Sequence, residues 1–260
     1  MTQFRTLPPF GGDQRAVAEI VRGVMDGKTN NTGTVTLATG NVTTTTLSNE
    51  RIGYDSLIFF VPVSAAANAD SAPYGAFQSL SDQTATINTA TAMTLDTTDY
   101  SNGVYLSNSS RMNARNAGIY NLQWSGQFQN TDTQLHDISI WLRKNNVDVT
   151  GSTGLISVPN SHGGVNGHTI AGWNYFIELS ANDYLEIYWS TPNAAVSLQL
   201  FPVGTSPTRP STASVITTMN YISPNALSNI YVSSRQPGQA TVSHFSNNTA
   251  DKTYGYIIVG

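Results

Sequence analysis

The histidines and carboxylates of this 260-residue chain are few and scattered. Of the four histidines, only His162 and His168 share a loop, and residues 161–168 contain no Asp or Glu that would complete a metal site. Glu178 and Glu186 flank a predicted hairpin and have the residue types of a glycosidase pair, but like-charged neighbours on a strand surface are more often simply solvated. We therefore predict a protein with no enzymatic activity, no metal and no cofactor.

Carbohydrate binding requires ring faces and a few placed polar groups rather than catalytic acids. The predicted strands offer ring faces at Trp141, Tyr184, Tyr188 and Trp189. The glycan-binding candidates in the predicted loops are Asn145, Asn146, His162, Asn166 and His168. A host surface glycan is therefore one candidate ligand.

The composition excludes several classes of partner. Only 11% of the residues are charged, the formal net charge is −4 and cysteine is absent. Without a basic run, the chain lacks the electrostatic footprint of nucleic-acid binding. The most apolar run, residues 56–63, is far shorter than the roughly 20 residues of a membrane span, and the first residues lack the plan of a secretion signal. We expect neither nucleic acid nor a membrane as partner, and synthesis in a cytoplasm.

One amphipathic helix is predicted at about residues 13–26, with Asp13 as its N-cap. Its apolar stripe has the i, i+3, i+4 spacing of a helix face and consists of Val17, Ile20, Val21, Val24 and Met25. This stripe packs either on its own domain or on a partner, and the sequence leaves both readings open.

The rest of the chain alternates between apolar and polar residues with the period of a half-buried strand. The pattern is strict in residues 118–128 and returns at 138–142, 171–179, 185–189, 196–200 and 215–221. So many short strands with turns between them predict an antiparallel β-sandwich at residues 73–223. Residues 1–72 and 224–260 share another texture, so we predict a smaller discontinuous β-rich base domain into which the sandwich is inserted.

Several strands carry aromatic rings on the side expected to face water. These rings are Trp141, Phe176, Tyr184 and Tyr188. Exposed aromatic surface is unfavourable unless a ligand or another subunit covers it, so we take these four as candidates for a trimer interface. The alternative is that the rings lie under long loops. They cannot be fully buried in a subunit interface and also bind a sugar.

The strand Gly118–Trp124 and the turn Leu179–Leu185 resemble the tumour necrosis factor and complement globular-head superfamily of trimeric jelly rolls. That family has a Gly-x-Tyr-x-aromatic strand and a later Leu-x-Ala-Gly-Asp-x-aliphatic turn. Asn182 stands where the family usually has Gly, and Asn also tolerates a positive φ. The resemblance extends over most of residues 73–223 and implies an all-β, homotrimeric jelly roll.

Both ends of the chain are similar to small bacteriophage virion proteins, in which a β-rich base attaches to the particle and a β-domain projects. The similarity lies in residues 7–13, 33–47, 55–62, 240–244 and 251–256. It implies a location on the virion surface and a major capsid protein or a tail or adaptor protein as partner. The candidates for docking to the particle are Leu7 and Phe10, with Val17, Ile20, Val21, Val24 and Met25 of the helix stripe. Capsid decoration or a head fibre is the first interpretation, and a short tail fibre or adhesin that binds a host glycan or receptor is the alternative.

Overall fold

The computed structural model describes residues 13–25, 31–68, 71–222 and 230–260. Within these ranges the chain is mostly β-strand with two helices, which confirms the all-β class. The helices are α1 (Gln14–Met25) and α2 (Ala65–Asn68). The strands are β1 (Thr32–Thr36), β2 (Val42–Ser48), β3 (Leu57–Pro62), β4 (Tyr74–Ser79), β5 (Gln83–Thr84), β6 (Thr91–Ala92), β7 (Thr97–Asn102), β8 (Val104–Ser107), β9 (Arg111–Ala114), β10 (Gly118–Asn130), β11 (His136–Lys144), β12 (Val147–Asp148), β13 (Gly154–Val158), β14 (Gly167–Leu179), β15 (Tyr184–Ser190), β16 (Val196–Leu198), β17 (Gly204–Thr205), β18 (Thr208–Arg209), β19 (Val215–Ile222), β20 (Ile230–Gln236), β21 (Gln239–Asn247) and β22 (Thr253–Val259).

Contacts between residues divide the chain into two compact units. The terminal unit comprises Met1–Ser71 and Ser228–Gly260, and the central unit comprises Ala72–Leu227. Among the described residues, each unit has its own cluster of buried apolar side chains. Each unit therefore has the separate hydrophobic core that is typical of a domain.

The core of the central unit lies between two antiparallel sheets. In the described part of the chain, sheet I has the order β5-β16-β10-β19-β4-β7, with β14 also paired to β10. Sheet II has the order β12-β11-β15-β9-β8, with β13 paired to β11 and β6 paired to β15. Inward side chains of both sheets form one cluster, in which the rings of Phe128 and Trp189 lie 5.6 Å apart. Burial of each large apolar side chain contributes about 1.5 to 3 kcal/mol.

The terminal unit is built from two further antiparallel sheets. Over the described residues, sheet III has the order β1-β22-β3 and sheet IV has the order β2-β21-β20. Their buried side chains, such as Leu37, Val242 and Ile258, form the second core. The short helix α2 precedes the boundary between the two units, and the Ala67 amide donates to Ser64 Oγ at 3.1 Å.

The structure confirms α1, which begins where the sequence places its cap: the amide of Arg15 donates to the Asp13 carboxylate at 3.0 Å. It also confirms the strand at residues 118–128, which continues to Asn130. The hairpin predicted between residues 171–179 and 185–189 is wrong. In the structure β14 pairs with β10 in sheet I and β15 pairs with β11 in sheet II, because the chain crosses between the sheets at residues 180–183.

Candidate functional site

Three of the four rings expected at a trimer interface lie on the outer face of sheet II. Trp141 and Tyr188 are cross-strand neighbours, and their ring centroids are 6.0 Å apart. The Arg143 guanidinium stacks on Tyr188 at 3.9 Å from the ring centroid, and the Arg111 guanidinium stacks on Tyr184 at 4.3 Å. These rings are half-buried by side chains of their own chain, so they do not form the exposed strip that the alternation predicted.

Asp148 fixes this stacked arrangement. Its Oδ1 accepts hydrogen bonds from Arg143 Nε at 2.7 Å and from Trp141 Nε1 at 2.8 Å. The hydrogen bond from Arg143, followed by that from Trp141, lowers the pKa of the Asp148 carboxyl below its ordinary value. The Nε1–H of Trp141 and the Nε–H of Arg143 therefore both have a hydrogen-bond acceptor within the chain.

The two candidate carboxylates of a glycosidase lie on different sheets. Glu178 is exposed on β14 of sheet I, whereas Glu186 is on β15 of sheet II and is only 3% exposed. Glu186 Oε1 accepts a hydrogen bond from Ser110 Oγ at 2.7 Å and lies 3.5 Å from Arg111 Nε. Because the predicted hairpin does not form, these carboxylates do not flank a common cleft, and the pairing that the sequence suggested is wrong.

The five glycan-binding candidates do not form one site. Asn145 and Asn146 occupy the β11–β12 turn, which Lys144 Nζ joins to the carbonyl of Glu178 near the end of β14 at 2.9 Å. His162 and Asn166 lie in the loop that leads to the beginning of β14. A strand of 13 residues is about 40 Å long, so the two groups are at opposite ends of the unit.

The remaining ring and imidazole candidates are also placed by the fold. Trp189 is fully buried in the core, so it offers no ring face to a sugar. His168 is exposed at the start of β14 and its ring lies 5.1 Å from that of Phe201. Among the described residues, no group of three or more His, Cys, Asp or Glu side chains is placed to hold a metal ion.

The turn that carries the jelly-roll resemblance is held by Asp183. Its carboxylate accepts hydrogen bonds from the Ser180 amide at 2.7 Å and from Asn145 Nδ2 at 2.6 Å, and it pairs with Lys144 Nζ at 2.9 Å. Asn182 has a φ of 70°, the left-handed conformation for which the family's glycine is suited. Asn145 is therefore a structural clamp between two turns.

The outer face of sheet I carries few charged side chains among the described residues. Phe176 is 63% exposed and lies opposite Asn121 of β10, while Ile170 is 68% exposed and lies opposite Gln127. The other exposed apolar side chains on this face are Tyr74, Tyr100, Ile119 and Ile216. Between them the outward positions of β10 and β19 are Asn, Gln, Ser and Thr, and the described carboxylates, Asp99 and Glu178, lie on the outermost strands β7 and β14.

The fourth predicted interface ring, Phe176, is therefore on the opposite sheet from Trp141, Tyr184 and Tyr188. The four were grouped from the sequence because each ring was expected on the water-facing side of its strand, and alternation does not show that β14 and β15 belong to different sheets. Sequence periodicity did not indicate the exposed isoleucines of this face, because the other outward positions of each strand are mostly polar. Only the register of the strands shows that these isoleucines share one face.

In the terminal unit, α1 buries none of its residues. Val21 is 49% exposed, Val24 51% and Met25 81%, while Val17 and Ile20 are half-buried. Leu7 and Phe10, the other candidates for particle docking, lie outside the described residues. Neither described helix has the length and apolarity of a membrane-spanning segment.

Sheet III presents a second apolar surface, which we call the sheet III face. Its side chains are between 48% and 60% exposed and are Leu57, Phe59, Val61, Val63, Ile257 and Val259. Gly255 lies among them and leaves a groove of about 290 Å³. The apolar run at residues 56–63 does not predict this exposure, because a continuous apolar run is typical of a strand buried on both sides.

No family model matches the chain, and no curated protein is significantly similar to it. The faces described above are therefore interpreted from their own chemistry.

We predict that acid destabilises the central unit partly through Asp183. Burial opposes ionisation, but the bonds from Lys144, Asn145 and the Ser180 amide outweigh it and lower the pKa of Asp183 below its ordinary value of 3.8. The stabilisation is complete above that ordinary value and is lost as pH falls through the lowered folded pKa. Replacement Asp183→Asn should lower the free energy of unfolding by about 1 to 2 kcal/mol at pH 7 and flatten its fall below pH 4.

The measurement is urea unfolding followed by tryptophan fluorescence, which reports on the central unit because Trp124, Trp141, Trp173 and Trp189 all lie in it. Glu178→Gln, which removes an exposed carboxylate from the neighbouring strand, is the control and should leave the acid profile unchanged. Identical acid profiles for wild type and Asp183→Asn would contradict the prediction.

Proposed function

We propose that this chain is a non-enzymatic, homotrimeric structural protein on the exterior of a bacteriophage particle. The observation that carries the proposal is the outer face of sheet I, a broad surface with exposed Phe and Ile side chains and carboxylates only on its outermost strands. Charge depletion combined with exposed aromatic and aliphatic groups is typical of the core of a subunit interface. The trimer interface is therefore assigned to this face, with Phe176 and Ile170 on its edge strand β14, and not to Trp141, Tyr184 and Tyr188.

The finer fold of the central unit is proposed to be a jelly-roll sandwich. Two antiparallel sheets with one common core support this, as does the chain crossing between sheets at residues 180–183. The left-handed Asn182 supports the resemblance to the trimeric globular-head family, because it stands at the position of that family's glycine. In such an arrangement one sheet of each copy faces the three-fold axis.

The terminal unit is proposed to attach the trimer to the particle, with the segment that contains Leu7 and Phe10 and the apolar stripe of α1 as candidate contacts. A three-fold module binds three neighbouring subunits of a symmetric shell at once, so weak single contacts give strong attachment. This favours a capsid decoration or head-fibre protein that contacts the major capsid protein. The clamped Asn145 and the separation of the glycan candidates weaken the alternative of a glycan-binding tail adhesin.

The location predicts a copy number. Quantitative mass spectrometry of purified particles should find the chain in numbers comparable to those of the capsid subunits, in a multiple of three per particle. A few copies per particle, as at a tail, would contradict capsid decoration. Absence from purified particles would contradict the virion assignment altogether.

The assignment of the trimer interface to sheet I predicts that one carboxylate introduced on this face weakens the trimer. Phe176→Asp or Ile170→Asp should raise the trimer dissociation constant at least about 100-fold, because an unpaired carboxylate would be buried at the interface. Size-exclusion chromatography with light scattering measures the assembled mass. Leu155→Asp is the matched control, because Leu155 is 75% exposed on sheet II. If Leu155→Asp dissociates the assembly and Phe176→Asp does not, the trimer interface is assigned to the wrong sheet.

A further inference from the structure

The terminal unit has two complementary apolar surfaces that a single copy leaves uncovered. One is the stripe of α1, in which Val21, Val24 and Met25 are between 49% and 81% exposed. The other is the sheet III face, centred on Phe59, Val61 and Ile257. An exposed helix stripe and an exposed sheet face are the two halves of a helix-on-sheet layer, in which each buries the other.

The geometry points to an exchange between copies, in which α1 of one copy packs on the sheet III face of the next. This deepens the proposed function and rests on it for the number of copies. It gives the helix stripe to a neighbouring copy of the chain and leaves the contact with the particle to the segment that contains Leu7 and Phe10.

The dimensions of the two surfaces match. The 12 residues of α1 give a helix of about 18 Å. The six residues of β3 span about 20 Å. A Cβ at Gly255 would lie 3.1 Å from Val63, so the glycine keeps the middle of the face low and open. A helix side chain therefore has a groove to enter at Gly255, beside Val61 and the Phe59–Ile257 pair.

The area is sufficient for a specific contact. Six apolar side chains about half exposed on the sheet and five on the helix amount to about 1,000 Å² removed from water, which is the lower bound for a stable biological interface. Each copy would give one helix and receive another. A head-to-tail contact of this kind closes into a ring when the rotation between copies fits, and with the proposed three-fold axis each copy makes the contact twice.

The absence of cysteine from the chain makes a direct test possible. Two single-cysteine chains, Val24→Cys on α1 and Val61→Cys on β3, are co-expressed with tags of different length and oxidised. We expect a covalent mixed dimer on a non-reducing gel, recovered with both tags. Because both positions are about half exposed in one copy, neither substitution should affect folding, and circular dichroism checks this.

The matched control replaces Val24→Cys with Arg15→Cys, which lies on the opposite side of the same helix about two and a half turns away. Arg15→Cys with Val61→Cys should give no mixed dimer. A mixed dimer of equal yield from both pairs would show random collision and overturn the inference. So would a Val24→Cys, Val61→Cys double variant that forms its disulfide only within one chain.

The outcomes separate this inference from the proposed function. If the reduced variants form trimers but Val24→Cys and Val61→Cys give no mixed dimer, the helix exchange is wrong and the sheet I interface stands. If the wild-type protein is a single copy in solution, the trimer fails and the exchange fails with it.

Discussion

Every strand of a two-sheet unit has one side in the core and another side that must be covered by water or by a partner. In most proteins charged residues cover that side. Here 11% of residues are charged, so amides, hydroxyls and isolated apolar groups cover it instead. Removing water from such a surface costs less free energy than removing it from a charged one when its amides and hydroxyls find hydrogen-bond partners. This supports the proposal that copies of the chain assemble.

The two outer faces of the central unit differ in which side chains cover them. On sheet II Arg111 lies over Tyr184 and Arg143 over Tyr188, and Asp148 holds Arg143 in place, so these two ring faces are covered within one copy. On sheet I no described arginine or lysine covers Phe176 or Ile170. This contrast supports the proposal that a partner covers sheet I. In the terminal unit, α1 and the sheet III face show the same incompleteness on a smaller scale.

Periodicity alone was sufficient to predict β10, β11, β15 and β19, because each alternates strictly against a buried core. It could not tell which strands pair, so β14 and β15 were read as a hairpin and Phe176 was grouped with Tyr184. Register also decides the site. Arg111 and Arg143 are distant in sequence from the rings they cover, and only the register shows that Ile119, Ile170 and Ile216 share the outer face of sheet I. The exposure of the sheet III face was hidden for the same reason, since an apolar run does not reveal which side lacks a covering layer.

We propose that copies of this chain cover one another's sheet I. Sedimentation equilibrium of the unmodified protein at micromolar concentration tests this. We expect a single species with three times the mass of the chain. A folded species with the mass of one chain would contradict it.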